Sequence, residues 1–430
     1  MRVAVLGGGI SGLMVARELV ERPGMEIDLY ERDVRLGGLL RSVRADGLEF
    51  DIGAFAFGHD HELLQSFPSL AARMATVRPR SVSVTPAGTL DGYPLTPGGF
   101  VRDHGLARAA VAGAGLLWGK VRHRRRDSVP AYARYYMGDA LYEWSGLPLY
   151  IERLYGIPDH QIALQLTEQT IVRIRNYTLL RLLGAKLRAW TGRAGPPPTL
   201  LVRPAEGFDA LWSEVGEELE RRGVRIHLGA EVRRVQRGPE GFTLRVGDEP
   251  RGYDAVVSTI PIPVMLRLLG EAPGMKFENA PMLSLFYRGR LRPDACFLYN
   301  FSRRGRWKRI TVFSRFYGPA DGADWFTVEV TAPDTSPAAL AELRADFEAH
   351  AHEVRLTDGE PTLAGQHVTE RAYPIFRIGD PERVQAERRR LEAHGISLSG
   401  RQGRFEYVSS ATAAAGARRL AGALAGEGRA

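Results

Sequence analysis

Gly7, Gly9 and Gly12 stand in a G-x-G-x-x-G pattern directly after the apolar run Val3-Ala4-Val5-Leu6. Glu31 follows about twenty residues later, the spacing at which an acid reaches a ribose. Residues of these types in this pattern hold a dinucleotide. Gly7 permits the tight turn, Gly9 lets the backbone approach a pyrophosphate, and Gly12 allows a helix to pack closely on a strand. Ile10 and Ser11 open that helix, whose free N–H groups and positive dipole end suit phosphates. Glu31 accepts hydrogen bonds from ribose hydroxyls, with Arg32 beside it. A second glycine pair, Gly37 and Gly38, leads through Leu39 and Leu40 to Arg41. Gly53 and Ala54 then close an acidic turn that begins at Asp51. A nicotinamide dehydrogenase does not need the second phosphate-approaching turn.

No constellation for hydrolytic or metal chemistry accompanies these residues. His59, His61, His160, His227 and His367 are scattered along the chain and read as structural or exposed groups. The expected catalytic group is therefore the cofactor, and no protein residue is assigned a catalytic role.

The elements that must position the nucleotide residues are a buried parallel strand at 3–6, a helix carrying Leu13, Met14, Ala16, Leu19 and Val20, and a strand at 26–30. Residues 209–222 form an amphipathic helix with Leu211, Val215 and Leu219 at spacings of four. Strand–turn–strand follows at 223–235, and a buried strand at 254–263 is ended by Pro261. Residues 78–85 read as a short strand, and 91–95 lead out of the nucleotide unit. Residues 100–190 read as mainly helical. Strand-like runs at 283–287, 295–300, 310–316 and 325–330 suggest an antiparallel sheet that walls a substrate cavity. A helix is expected at 337–350, a last strand of this unit at 367–376, and a strand, glycine turn and helix from 395 to 425.

At 430 residues, 44% hydrophobic and 25% charged, the chain supports two substantial cores. One cysteine, Cys296, excludes an internal disulfide and suits a reducing cytoplasm. Met1-Arg2 leads straight into the nucleotide strand, so no cleaved signal is expected, and no apolar run approaches a transmembrane length. The net charge of +8 comes almost wholly from dispersed arginine, without a nucleic-acid-binding motif, so no nucleic-acid partner is expected. Arginine forks do suit anionic small molecules. Residues 106–126 run from a small apolar stretch into Lys120-Val-Arg-His-Arg-Arg-Arg126. A helix packed in the second unit followed by a solvated basic loop is the expected reading, ahead of an amphipathic foot on an anionic membrane. Oligomeric state is not legible.

Taken with the F-D-I-G-A segment at 50–54 and the E…R-x-G-G…R-S turn, the sequence resembles the FAD-dependent amine oxidase and protoporphyrinogen oxidase superfamily, which includes UDP-galactopyranose mutase-like flavoproteins. The resemblance implies FAD, with Gly37, Gly38 and Arg41 near the pyrophosphate and ribityl chain and the 51–54 turn near the isoalloxazine. It implies a backbone contact from Val232 to the adenine end. Residues 202–208 resemble the superfamily's P-x-G-G return to the flavin domain. Gly400, Arg401, Gly403, Phe405 and Tyr407 match a G-R-x-G-x-F/W-x-Y motif, whose following helix points its N-terminus at the flavin. Two departures stand out. Phe55 occupies a position where many relatives carry histidine, and Val408-Ser-Ser-Ala-Thr412 replaces an Asn-Met-Asp-like run. Arg173, Arg175, Tyr177 and Tyr373 are the expected substrate contacts.

The implied fold is α/β: a Rossmann-like FAD-binding domain (GR2-type flavoprotein) built from discontinuous segments, with an inserted α+β substrate domain containing an antiparallel sheet and a helical part. The expected FAD-binding domain comprises 1–95, 204–265 and 384–430, and the substrate domain 96–203 and 266–383. The expected activity is oxidation or desaturation of a small, anionic or sugar-linked biosynthetic intermediate. A nicotinamide or another electron donor or acceptor would be the redox partner. The alternative is a non-redox mutase in which reduced flavin N5 attacks a sugar carbon of a nucleotide sugar.

Overall fold

Five parallel strands carry the glycine turns. The computed structural model describes residues 1–93, 95–123, 128–164 and 199–426. In it the strand order is Ile396–Leu398, Ala255–Ser258, Arg2–Leu6, Glu26–Tyr30 and Arg225–His227. Neighbours pair in parallel, so strands distant in sequence assemble one unit. Val3, Val5, Ile27, Leu29 and Val257 are fully buried, as strands of a sheet covered on both faces must be. On one face, helix Ile10–Val20 packs against helix Ser410–Leu424, whose Ala414, Ala417 and Ala421 keep the approach close. An antiparallel meander, Val232–Gly238, Gly241–Val246 and Glu249–Tyr253, completes this unit.

The second unit is a seven-stranded sheet. Its order is Thr357–Pro374, Asn279–Leu291, Asp324–Thr331, Trp307–Val312, Phe297–Asn300, Ser81–Val84 and Leu90–Gly92. All pairings are antiparallel except that of Phe297–Asn300 with Ser81–Val84. The antiparallel wall read from the sequence is therefore present, but it recruits residues 81–92. The chain first crosses between units before residue 81, not near 96. Local alternation marks a strand without saying which sheet accepts it, and this corrects the first boundary.

Residues of the central strand Asp324–Thr331 are all buried, yet they alternate in character. Phe326, Val328 and Val330 face helix Pro337–Glu353 through Leu340, Leu343 and Phe347. Thr327, Glu329 and Thr331 point the other way, and Thr327 Oγ1 donates to the carbonyl of Asp51 in the first unit at 2.9 Å. A register shift between Trp307 and Arg309 inserts an extra residue into the neighbouring strand. Such a bulge re-aims side chains. Here Lys308 reaches Thr331 and Arg309 reaches Glu329, so both cations lie on the polar face.

A buried ion pair ties the two units together. Arg203 Nε lies 2.5 Å from Asp51 Oδ1, and Ser42 Oγ donates to the same carboxylate oxygen at 2.8 Å. Arg203 also donates to the carbonyls of Pro204 and Glu49 and lies over the rings of Tyr317 and Phe313. The segment 202–208 thus clamps the 51–54 turn from beneath.

Candidate active site

One cavity of about 920 Å³ runs from the glycine turns to the polar face of the seven-stranded sheet. Backbone builds its first end. Helix Ile10–Val20 has Gly9 at its N-cap and no side-chain cap, so its first N–H groups are left for a ligand. Gly9 and Gly37 form an isolated bridge that sets the two glycine turns side by side. At Gly37, φ is +105° and a Cβ would stand 2.2 Å from Trp212 Nε1. That indole donates to the carbonyl of Leu40 at 2.7 Å and fixes the turn. Gly12 does not line the cavity; a Cβ there would meet the Gly7 carbonyl oxygen at 1.9 Å, so its role is packing.

The acidic residues of this end hold the loop as well as offering acceptors. Glu31 accepts from the Gly8 N–H at 2.7 Å and the Asp33 N–H at 2.9 Å. Arg41 donates to Asp33 at 2.6 Å, while its Nε is buried without a partner. Burial works against the Asp33 carboxylate, but Arg41 overrides it and lowers its pKa. Tyr30, with His227 stacked on it at 4.6 Å, stands near Ala230, Glu231 and Val232 on the same wall.

The expected cofactor residues Gly7, Gly9, Ile10, Ser11, Glu31, Arg32, Gly37, Gly38, Leu39, Leu40, Arg41, Gly53, Ala54, Val232, Gly400, Arg401 and Tyr407 all line this cavity. Phe405 does not. It is buried, with φ +48°, and packs edge-on against Phe277. Arg401 acts as a clamp: it donates to the carbonyls of Ala372 at 2.9 Å and Val408 at 2.7 Å, with its guanidinium near the rings of both Tyr373 and Tyr407. Ser409, Ser410, Thr412 and Ala413, at the start of the last helix, also face the cavity.

FAD fits this donor set. The cleft brings together two uncapped glycine turns, an acid at ribose spacing, an orphaned arginine Nε and a second helix N-terminus. The residues named above at each turn would hold it.

Side chains build the other end. Tyr93, Tyr150, Tyr299, Tyr373 and Tyr407 line it together with Arg309. Tyr93 stacks on Tyr299 at 4.0 Å, and Tyr373 on Tyr407 at 5.4 Å. Arg309 meets Glu329 in a two-pronged pair, Nε to Oε1 at 2.7 Å and Nη2 to Oε2 at 2.8 Å. Nη1 takes no part in that fork. Burial opposes the charge on Arg309, but the Glu329 carboxylate prevails and holds its pKa well above the ordinary value. Burial likewise raises Tyr150 and Tyr373, so both are neutral hydrogen-bonding phenols at physiological pH.

Lys308 sits behind this wall, with Nζ 4.3 Å from the centre of the Tyr373 ring. It donates a long hydrogen bond to Thr331 Oγ1 at 3.3 Å. Burial pushes its pKa down to about 7, against the pull of Glu329. His367 also lines the cavity, and burial with the nearby Arg41 lowers its pKa toward the neutral ring.

Of the expected substrate contacts, Tyr373 is in the cavity, while Arg173, Arg175 and Tyr177 lie outside the described residues. The sequence reading missed Tyr93, Tyr150, Tyr299 and Arg309 as site residues. A signal existed for the last: a Lys-Arg pair inside the apolar run Trp307–Val312, and a lone Glu329 inside the apolar run 325–330. Two charges buried in two strands pair with each other.

Residues 5–68 match the family described as NAD(P)-binding Rossmann-like domain, and residues 171–292 match flavin containing amine oxidoreductase. Protoporphyrinogen oxidase 2, chloroplastic/mitochondrial, of Arabidopsis thaliana is 51% identical over 53 residues, which cover 12% of this chain and 10% of that protein. The chain thus spans about a tenth of the length of that relative. Human protoporphyrinogen oxidase is 24% identical over 456 residues, covering 95% of this chain and 94% of that one. The crystal structure of reduced UDP-galactopyranose mutase superposes with a TM-score of 0.80 at 19% identity, covering 100% of this chain and 94% of the other. That likeness is one of fold.

Proposed function

We propose a reaction for a chain that is an FAD-dependent enzyme of the flavin-containing amine oxidase and protoporphyrinogen oxidase superfamily: it oxidises or desaturates a small, polar, anionic metabolite. The observation that carries this reading is Arg309 on the wall of the tyrosine-lined end of the cavity, a cation oriented by Glu329 that a purely apolar substrate would cover without offering it an acceptor. When bound, FAD supplies the electron acceptor. The protein supplies position. The Arg309 guanidinium, oriented by Glu329, presents Nη1 as a fixed donor for a carboxylate or phosphate oxygen. The tyrosine hydroxyls donate to and accept from substrate hydroxyls, and their stacked rings hold the carbon frame in one orientation.

The same lining favours one other reading, a mutase acting on a nucleotide sugar with no net redox change, because phenols and an arginine suit a glycosyl phosphate equally well. Anaerobic mixing of holoenzyme with a panel of small carboxylates, phosphates and nucleotide sugars separates them. Net oxidation bleaches the visible flavin bands with one class of anionic compound. A mutase converts a nucleotide sugar to its isomer only after the flavin has been chemically reduced. Bleaching by apolar compounds alone would contradict both readings.

A further inference from the structure

Helix Pro97–Arg122 is apolar on two sides and covered on one. Its inner stripe, Ala112, Leu116 and Gly119, is buried against helix Val129–Trp144. The contact is close: a Cβ at Gly119 would stand 2.5 Å from the Arg134 carbonyl oxygen, and one at Gly138 2.4 Å from that of Gly115. The outer side is bare. Leu106 is 77% exposed, Val111 55%, Leu117 64%, Trp118 65% and Val121 57%. Among the described residues these five make up half of the ten large hydrophobics that are exposed, so the exposure is concentrated rather than scattered. At 100° per residue they fall within about 140° of arc, a continuous apolar face.

Charge frames that face. Arg122 and Arg108 lie beyond one edge of the arc and Lys120 beyond the other, all exposed. No Asp or Glu occurs from residue 104 to residue 126, and the sequence continues after His123 with three arginines. Among the described residues, no helix is long and apolar enough to cross a membrane. Gly105, at φ 79° and ψ 164°, also breaks this one, leaving residues 106–122 as a straight piece of about 25 Å. An apolar face with a tryptophan, flanked by cations and too short to span, has the composition of a helix that lies in a lipid headgroup layer.

We propose that residues 106–122 dock this protein onto an anionic lipid surface, with Leu117, Trp118 and Val121 inserted and Arg108, Lys120 and Arg122 at the headgroups. The bland alternative of a packed helix describes its inner stripe and leaves the outer face unexplained. A second copy of the chain is the less suitable occupant, because a self-complementary interface would set a predominantly cationic face, offset in part where Asp139 comes within 3.9 Å of Arg122, against its own copy. Long basic side chains beside the apolar arc can lay their stems on the hydrocarbon while keeping their charges in the headgroup layer.

The test is flotation of the full-length, flavin-loaded protein with phosphatidylcholine vesicles, with and without phosphatidylglycerol. Wild type is expected to float only with the anionic vesicles and to be released by high salt. Leu117→Ser/Trp118→Ser is expected to lower the bound fraction by about tenfold or more, with flavin absorbance and circular dichroism unchanged. Lys120→Glu/Arg122→Glu is expected to remove the preference for anionic lipid. Wild type that stays unbound, or a serine variant that binds as wild type does, overturns the proposal. So does a wild-type dimer that the serine variant converts to monomer while neither floats.

Discussion

The two ends of the cavity are made of different materials. At the cofactor end the contacts are dominated by backbone N–H groups and close-approach glycines of two turns thirty residues apart, with Val232 and the 400–413 segment completing the wall. At the substrate end the contacts are side chains carried on strands and helices from residue 93 to residue 407. At the first end a Cβ would clash with the protein at Gly7 and Gly37, while at Gly9 it has room in the protein and would occupy space left for the ligand. The second tolerates shifts of backbone but depends on a buried charge pair and on stacked rings. One end is a matter of chain conformation, the other of convergence.

The largest expected effect falls on the cofactor end. Gly9→Val puts a branched side chain into the cavity wall where phosphates are to approach, and the purified protein is expected to be folded and colourless. A yellow, fully loaded variant would remove the difference between the ends. Glu329→Ala comes next. It leaves the partly buried Arg309 guanidinium without its partner, and thermal or urea unfolding is expected to show a loss of about 1.5–3 kcal/mol. Arg309→Met/Glu329→Gln removes both charges and is expected to restore most of that stability while losing affinity for anionic ligands. Tyr373→Phe should be milder: flavin content unchanged and a rise in KM of about tenfold, as one substrate hydrogen bond is lost.

The most graded effect is a pH dependence. Lys308 has a folded pKa of about 7, below its unfolded value, so between about pH 7 and 10 the unfolded chain binds more protons at this site. Stability conferred by wild type relative to Lys308→Met therefore rises with pH across that window, by at most about 1.4 kcal/mol per unit. Paired urea titrations at pH 7.5 and 9.5, roughly within that window, measure it. A difference that stays flat between the two pH values would show that Lys308 is charged where it lies.

This contrast also explains what the sequence discloses. Glycine spacing, the acid at ribose distance and the apolar strand at 3–6 report local conformation, and local conformation is what the cofactor end requires. The long helices read at 209–222 and 337–350 appear as Phe208–Arg221 and Pro337–Glu353, because their apolar stripes are regular. Strand Thr357–Pro374 was legible only in its second half, since its first half holds Asp358, Gly359 and Pro361 among exposed positions. Helix Asp380–Ala393 went unread because charge dominates it; even Glu387 and Arg388 on its buried side are ionisable. Tyr93, Tyr150 and Tyr299 are ordinary aromatic residues along the chain, and only the packing of three distant segments makes them one wall.

Flavin absorbance of the purified Arg309→Met/Glu329→Gln protein, titrated anaerobically with UDP and with inorganic pyrophosphate, tests the division of the cavity most directly. The expected result is a yellow protein with wild-type flavin content whose spectrum no longer responds to either anion, while wild type responds to at least one. A colourless double variant would mean that the charge pair belongs to the cofactor end. An undiminished response would mean that Arg309 does not receive the anion, and the account of the substrate end would be wrong.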